Sequence, residues 1–339
     1  MGCMSRICIV PLVEGTGGMA SFRLKFEQGL HARGVDVTHD LAAESDAVLV
    51  IAGTRNLLPL WRAGQRGQRI VQRLDGINWV QRVRWTGPRY HIRAEYGNAM
   101  LSLIRARFAD RVIYQSQFIR KWWEDWYGAA HVPASVIING VDLQTYTPDG
   151  AHERPRDYFR LLLLEGSLAG GLNSGLFHAV SLAEKLSEKF PMEVAVAGIV
   201  DASTQNTIRR ASRVPVKFLG VLARDQIPNL IRSAHLLYSA EVNPPCPNSV
   251  IEALACGLPV VGFDSGSLKE LVSADAGRVV PYGGDPWKLE TPDISALADS
   301  AADVLTNQEQ FRAAARMRAE SAFGLDQMTD AYLKVLLGD

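Results

Sequence analysis

The strongest chemical pattern places a carboxylate on a short helix that follows a proline-stiffened loop. Glu252 lies within residues 245–261, where the order of residue types predicts a loop, a helix, a glycine stop and a buried strand. Asn248 or Ser249 is expected to cap the helix, and Gly257 to take its C′ position. A helix N-terminus offers unpaired N–H groups and the positive end of a dipole, so this segment is suited to an anionic ligand.

Glu252 also has a purely structural interpretation. The spacing of Ser249 and Glu252 fits a capping box, in which the glutamate bonds back to the N–H of the cap residue. The spacing alone leaves both interpretations open.

A second carboxylate follows an apolar run in the first half of the chain. Asp75 lies in the segment 73–79, at the end of a predicted strand, where residues that face a ligand cleft are expected. It is a candidate to contact substrate hydroxyls, and a loop-capping aspartate is the alternative. The histidines have no metal-ligand spacing and no Asp-x-Asp occurs, so we expect no metal site.

A glycine-rich loop at 14–21 follows the first predicted strand and precedes a helix that Ser21 is expected to cap. Gly15, Gly17 and Ala20 also satisfy the G-x-G-x-x-A fingerprint of dinucleotide-binding proteins, with Asp36 or Asp40 as the ribose-binding acid. An NAD-dependent oxidoreductase or epimerase is therefore an alternative, although that class leaves the segment around Glu252 unexplained.

The elements that position these residues alternate between short apolar runs and longer amphipathic segments. This alternation predicts βαβ units, parallel sheets and an α/β fold, and a polar stretch at 148–158 predicts a linker between two domains. Two doubly wound domains imply a ligand cleft between the carboxyl ends of their strands. Strands are expected at 7–13, 35–38, 47–51, 69–72 and 111–114, then at 160–164, 193–197, 216–219, 235–238, 258–261 and 278–280, and two or three helices at 293–337.

Composition narrows the class of protein. The 339 residues are 47% hydrophobic and 21% charged, as in folded globular proteins. Four scattered cysteines indicate neither a disulfide framework nor a zinc site, and no apolar run reaches the roughly 20 residues that span a bilayer. We expect a cytoplasmic protein. The chain shows no nucleic-acid-binding module and its net charge is zero, so we expect no nucleic-acid partner.

Basic residues are concentrated in the first half. Residues 55–111 contain 12 arginines against three acidic residues, and aromatic residues are interleaved among them. This mixture suits an anionic acceptor or a phospholipid surface, and a solvated arginine-rich face is the alternative.

The segment 245–261 resembles the signature of retaining glycosyltransferases of family 4, which have the GT-B fold of two Rossmann-like domains. The resemblance is nearly continuous over about 190–280 and piecewise in the N-terminal half. It implies an acceptor domain at 1–155, a nucleotide-sugar donor domain at 156–323, and a C-terminal helix at about 324–339 that packs back on the first domain.

The resemblance also implies the donor-binding residues. The position of Glu252 holds the ribose hydroxyls of the donor, and strand ends like those at Gly198 and Gly220 frame the base. The other implied donor-binding positions are Gly17, Gly18, Asn248, Ser249, Ser265, Gly266 and Ser267.

Two departures from the family pattern concern the diphosphate and the catalytic carboxylate. The family's first glutamate, eight residues before Glu252, is Pro244 here, so nearby Glu241 is the candidate replacement and, with Asp75, the candidate catalytic residue. The family's Arg and Lys after the first strand of the second domain are also missing. We expect the backbone amides of 166–171, beginning at Gly166 and Ser167, and of 265–267 to hold the diphosphate. Arg23, Arg73 and Lys269 are candidate bases.

The resemblance implies a hexosyltransferase that moves a sugar, with retention of configuration, from a UDP- or GDP-type donor to an envelope glycan, a lipid or a small molecule. The donor is a substrate, so no cofactor is expected. Contact with the inner face of a membrane through the arginine-rich stretch 82–111 is a further hypothesis. The missing bases favour one more alternative, a GT-B protein of reduced activity that binds a sugar nucleotide.

Overall fold

The structure, a computed structural model, describes residues 5–15, 17–168 and 174–338. It divides into unit 1, Met1–Gly140 with Leu325–Asp339, and unit 2, Val141–Gly324. No helix in these described ranges is long and apolar enough to span a membrane.

Unit 1 contains a six-stranded parallel sheet in the order β2-β1-β3-β4-β5-β6. Its strands are β1 Arg6–Val10, β2 Asp36–Thr38, β3 Ala47–Ile51, β4 Arg69–Leu74, β5 Arg111–Tyr114 and β6 Ala134–Val136. Its helices are α1 Gly18–His31, α2 Leu57–Gln65, α3 Val80–Val83, α4 Pro88–Arg107, α5 Gln117–Tyr127 and α13 Leu325–Leu337.

Both faces of this sheet are buried, which is why its strands are continuous apolar runs in the sequence. Successive side chains of β1 point to opposite faces. Ile7 and Ile9 pack with α1 and α13, whereas Cys8 and Val10 belong to the core against α2 and α4.

The last helix, α13, packs closely on α1. A Cβ added to Gly29 would lie 2.2 Å from the Oγ1 of Thr329, so only glycine permits this approach of the two helices. The ring of Tyr332 lies 5.3 and 5.0 Å from the rings of Phe22 and Phe26. The helix is therefore part of the core of unit 1, although nearly 300 residues of chain separate it from α1.

Unit 2 contains a second six-stranded parallel sheet in the order β12-β11-β10-β7-β8-β9. Its strands are β7 Phe159–Ser167, β8 Met192–Ile199, β9 Val216–Gly220, β10 Leu236–Tyr238, β11 Val260–Phe263 and β12 Gly277–Val280. Its helices are α6 Ser174–Leu186, α7 Ala202–Ala211, α8 Ile227–Arg232, α9 Asn248–Ala255, α10 Leu268–Leu271, α11 Ile294–Thr306 and α12 Gln308–Ala322, with 3-10 turns at Arg224–Gln226 and Pro286–Lys288.

The two units divide at 140 and 141, whereas the sequence analysis places the domain boundary at 155 and 156. The polar stretch after residue 140 is fixed to unit 2 by hydrogen bonds. The N–H of Val141 donates to the carbonyl of Phe323 (2.8 Å), and Arg316 donates to the carbonyl of Tyr146 (2.8 Å). The polar composition of 148–158 therefore indicates irregular structure, but the boundary between the two units lies before it.

Candidate functional site

In unit 2, the order of strands reverses between β7 and β10. The chain proceeds from β7 to β8 and β9 on one side, and then returns to β10, β11 and β12 on the other. In doubly wound sheets, ligands bind at the carboxyl ends of the strands at such a switch point. Glu165, two residues before the end of β7, and Glu241, three residues beyond β10, lie near these strand ends.

These two carboxyls are close enough to interact electrostatically. Burial raises the pKa of Glu165, and the charge of Glu241 raises it further. Burial also raises the pKa of Glu241, although solvent reaches its side chain. Glu241 was predicted from the sequence as a site residue, and Glu165 was not. The sequence did contain a signal for Glu165, because an acidic residue follows the apolar run of the first strand of the second βαβ series.

Glu252 lies on α9 and is buried, with 8% of its surface exposed. The helix begins at Asn248 with Pro247 as its N-cap, and no side chain caps it. Ser249 is therefore inside the helix, and the predictions that Asn248 or Ser249 caps it and that Ser249 and Glu252 form a capping box are wrong. As at the start of any α-helix, the first N–H groups of α9 point out of the helix and have no acceptor within it.

The C-terminus of α9 agrees with the sequence analysis. Gly257 has a φ of 66°, its N–H donates to Leu254 (2.9 Å), and the N–H of Leu258 donates to Ala253 (2.8 Å). These bonds form a Schellman motif with Gly257 at C′, as predicted.

The loop after β11 packs against the loop after β10. A Cβ on Gly266, whose φ is 63°, would lie 2.4 Å from the backbone nitrogen of Pro244. The N–H of Ser267 donates to the carbonyl of Pro244 (2.9 Å), and that of Ser265 to the carbonyl of Phe263 (2.7 Å). Two of the three amides predicted to hold phosphate are therefore used internally, and only that of Gly266 has no acceptor among the described residues.

Two buried polar atoms in these loops have no hydrogen-bond partner among the residues that the structure describes. They are the Nδ2 of Asn243, a residue with a φ of 54°, and the Oγ of Ser267. Burial of an unpaired donor is costly, so each of these two atoms is a candidate to hydrogen-bond a ligand. Asn243 is therefore a candidate donor for a ligand of this site, and it was not predicted from the sequence.

Gly198 and Gly220, the residues predicted to frame the base, end β8 and β9 in different surroundings. Gly198 has a φ of 136°, and its Cβ would lie 2.1 Å from the carbonyl oxygen of Glu165. Gly220 has a φ of 68° and open space around it. Gly198 therefore has a packing reason to be glycine, independent of any ligand.

The predicted phosphate segment 166–171 is only partly described. Gly166 and Ser167 are exposed at the end of β7, and residues 169–171 lie outside the described residues. The three candidate bases already have carboxylate partners at 2.7, 2.5 and 2.8 Å: Arg23 with Glu27, Arg73 with Asp75, and Lys269 with Asp264.

In unit 1, Asp75 belongs to a buried polar network at the ends of β4, β5 and β6. Arg73, which is 1% exposed, donates to Oδ1 of Asp75 and to Asn139 (3.0 Å). Gln115 donates to the same Oδ1 and accepts from Asn139 (3.3 Å). Burial raises the pKa of Asp75, and the charge of Arg73 opposes this shift. No described residue donates to Oδ2 of Asp75.

Gln115 and Asn139 were not selected from the sequence. Each is the first polar residue after an apolar run. This position at the end of a strand was the signal in the sequence that could have identified them. Arg73 also stacks on the ring of Phe22, with its Cζ 3.8 Å from the ring centroid. The network is therefore fixed on several sides, and it is not a simple loop cap.

The glycine-rich loop ends at the start of α1. Gly17 is the N-cap and Gly18 the first residue of the helix, so the prediction that Ser21 caps it is wrong. Thr16 lies outside the described residues. For the dinucleotide alternative, Asp36 is at the amino end of β2 and pairs with Arg6 at 2.6 Å, so it cannot bind a ribose at the carboxyl edge.

The arginine-rich stretch is partly structural. Arg105 is buried and donates to the hydroxyl of Tyr114 (3.1 Å) and the carbonyl of Gly128 (2.6 Å). Arg82 pairs with Glu95 at 2.6 Å, and this interaction lowers the pKa of Glu95 to about 2. Other arginines of the stretch, including Arg89 and Arg93, are exposed.

Comparison with known proteins identifies the domain that carries Glu165, Glu241 and Glu252. Residues 162–307 match the family described as glycosyl transferases group 1. The chain contains a group 1 glycosyltransferase domain. Its two units have the architecture of the GT-B fold.

Two curated relatives match at the sequence level. The chain is 24% identical to D-inositol 3-phosphate glycosyltransferase of Mycolicibacterium smegmatis over 283 residues, which are 76% of this chain and 63% of that protein. It is 30% identical to 2-deoxystreptamine N-acetyl-D-glucosaminyltransferase of Streptomyces fradiae over 96 residues, 28% of this chain and 21% of that protein. The chain thus spans less than two thirds of either relative.

Solved structures of glycosyltransferases have the same fold. Sucrose-phosphate synthase of Thermosynechococcus elongatus matches with a TM-score of 0.74 and 14% identity, over 98% of both chains. HepE of Anabaena in complex with UDP-glucose matches with a TM-score of 0.68 and 17% identity, over 98% of this chain and 99% of that chain.

Proposed function

We propose that this protein is a glycosyltransferase that moves a sugar from a UDP- or GDP-type donor to a hydroxylated acceptor with retention of configuration. The observation that carries the proposal is Glu252. This carboxylate is buried on α9, is not part of a capping box, and lies in a domain that matches glycosyl transferases group 1. The likeness to HepE, whose structure contains UDP-glucose, supports a nucleotide-sugar donor.

In this proposal the donor binds unit 2. Glu252 accepts hydrogen bonds from the ribose hydroxyls, and the base lies near Gly198 and Gly220. The diphosphate contacts the N-terminal N–H groups of α9 and the N–H of Gly266, where the helix dipole favours negative charge. Glu165 and Glu241 are at the edge of this site, and their raised pKa values favour the neutral forms that tolerate a diphosphate.

The acceptor in this proposal binds unit 1. The Oδ2 of Asp75 accepts a hydrogen bond from the attacking hydroxyl, while Arg73 and Gln115 hold Oδ1. The leaving diphosphate then takes the hydroxyl proton, so the protein acts by orienting both substrates and stabilising the departing charge. An envelope glycan, a lipid and a small molecule are all acceptors of suitable chemistry.

Thermal shift with UDP, GDP, their common sugars and NAD tests the proposal. We expect stabilisation by one nucleoside diphosphate, abolished in Glu252→Ala and retained in Glu309→Ala, an exposed glutamate of the same unit. If Glu252→Ala only lowers the melting temperature and keeps donor affinity, Glu252 is structural. Binding without turnover would favour a sugar-nucleotide-binding protein, and a shift with NAD alone would favour an oxidoreductase.

We also propose contact with the inner face of a membrane. Trp85 and Ile92 are 80% and 68% exposed beside Arg89, a combination that suits the interface of an anionic bilayer. Vesicles of phosphatidylcholine with phosphatidylserine should bind the protein more tightly than phosphatidylcholine alone. Trp85→Ala should weaken this binding severalfold, and equal binding to both vesicles would contradict the proposal.

A further inference from the structure

Unit 1 contains a cavity of about 470 Å³ that is lined in part by the arginine-rich stretch 82–111. It lies between the segment that follows β3, the residue Asn78 after β4, and one face of α4. Its size is within the range of pockets that hold small molecules. The residues that carry the argument are Arg55, Asn78, Tyr90, Arg93, Tyr96 and Gly97.

The cavity is positively charged. Arg55 and Arg93 line it, no acidic residue does, and neither arginine has a carboxylate partner within the described ranges. Glu95, the acid nearest to Arg93 along α4, is already bonded to Arg82 at 2.6 Å and to Gln81 at 2.9 Å. Two uncompensated guanidinium groups favour a ligand that carries a phosphate or carboxylate.

The rest of the wall suits a hydroxylated ring. Tyr90, Arg93 and Gly97 recur at helical spacing, so they lie on one face of α4, and Tyr96 adds a second aromatic ring. Asn78 is fixed in place, because Asn98 accepts from both its backbone N–H (2.9 Å) and its side-chain amide (3.1 Å). Aromatic faces with a few oriented polar groups are typical of sites that bind polyol rings.

We infer that this cavity binds the acceptor, and that the acceptor is an anionic polyol: a hydroxylated ring with a phosphate or carboxylate held by Arg55 and Arg93. The inference rests on the proposed transferase function and gives its acceptor a chemical class. Asn78 lies three residues after Asp75, so the cavity and the candidate hydroxyl-binding carboxylate share the loop that follows β4.

Calorimetry with inorganic phosphate, glucose 6-phosphate, glucuronate and glucose tests the inference on the full chain. We expect at least one anionic probe to bind at millimolar concentration and glucose to bind more weakly. Arg93→Gln and Arg55→Gln should each weaken the anionic probe about tenfold. Arg62→Gln, an exposed arginine of unit 1 outside the cavity, should bind it as the wild type does. Melting curves verify that each variant is folded.

The calorimetry can fail or succeed independently of the thermal-shift experiment with nucleotides. Absence of binding for every anionic probe, or unchanged affinity in Arg93→Gln, overturns the inference even where UDP or GDP binds. Anion binding that depends on Arg93 in a protein that binds no nucleotide supports the cavity and overturns the transferase. Vesicles with and without phosphatidylinositol distinguish a lipid headgroup from a soluble acceptor, since only a headgroup site gives Arg93-dependent binding to the inositol lipid.

Discussion

The two units surround half-buried carboxylates, Asp75 and Glu165, in opposite ways. In unit 1, Asp75 lies against Arg73 and accepts a second hydrogen bond from the amide of Gln115, which in turn accepts one from Asn139. In unit 2, Glu165 has another carboxyl, Glu241, as its electrostatic neighbour. Burial raises the pKa in both places, but a cation opposes the shift in unit 1 and an anion adds to it in unit 2. The first arrangement compensates the carboxylate charge within the protein and leaves Oδ2 as an acceptor, whereas the second is suited to neutral forms or to a compensating partner.

The largest expected effect comes from removing the cation in unit 1. Arg73→Met removes one of the two side-chain donors to Asp75, removes a donor to Asn139, and abolishes the stacking on Phe22. We expect the free energy of unfolding to fall by about 3–5 kcal/mol, because the half-buried carboxylate of Asp75 loses its cation and the fully buried site of Arg73 is disrupted. Urea unfolding measures this loss, with Arg62→Gln as the exposed control. A loss below about 1 kcal/mol is what an exposed ion pair would give, and it would contradict the view that Arg73 compensates the charge of Asp75.

The next effect concerns the backbone beneath Glu165. Gly198→Ala combines a positive φ with a Cβ in contact with the carbonyl of Glu165, so we expect a loss of about 2–4 kcal/mol. Gly220→Ala is a matched control, because its φ is also positive but its surroundings are open, and it should cost about 1–2 kcal/mol. Equal losses in thermal unfolding would show that β8 can move away from β7 without penalty.

A smaller effect distinguishes the acid pair by its pH dependence. The unfolded chain releases the proton of Glu165 near its ordinary pKa of 4.5, whereas the folded chain retains it to higher pH. Stability conferred by this group therefore falls as the pH rises above 4.5. Glu165→Gln should be more stable than the wild type by about 1–2 kcal/mol at neutral pH, after allowance for solvent access. The gain should vanish below pH 4.5, and a gain that persists there would exclude titration as its cause.

The smallest effect is expected from an exposed ion pair. Lys269→Ala removes a surface partner of Asp264 and should change the free energy of unfolding by less than about 0.5 kcal/mol. Nucleotide affinity is the informative measurement on this variant. An unchanged affinity agrees with a diphosphate held by backbone N–H groups, and a tenfold loss would assign the neutralising role to Lys269.

The sequence predicts the strands well and the polar networks poorly. Strands buried on both faces are continuous apolar runs, so the expected strands at 47–51 and 111–114 coincide with β3 and β5. In the Asp75 network, Gln115 and Asn139 lie 40 and 64 positions after Asp75 in the sequence. Only the register of the sheet brings them to the end of β4. Such contacts depend on tertiary structure and leave only a weak local pattern.

Local capping rules failed where the backbone has its own constraint. Pro247 is the N-cap of α9, so the helix begins one residue before Ser249, and the favourable spacing of Ser249 and Glu252 has no effect. Gly257 was predicted correctly, because a left-handed C′ position strongly favours glycine. The roles of Glu252 and the other site residues stay predictions that ligand binding must test.

The return of α13 to unit 1 determines how the protein can be divided. Topologically, unit 2 is an insertion between two segments of unit 1, so 141–324 is a contiguous fragment and unit 1 is not. A fragment of residues 1–140 would leave Phe22, Phe26 and Gly29 facing water. Separate production of unit 1 therefore requires α13 as an added peptide or through a new short linker, and such a two-piece unit 1 would provide a complementation assay for acceptor binding alone.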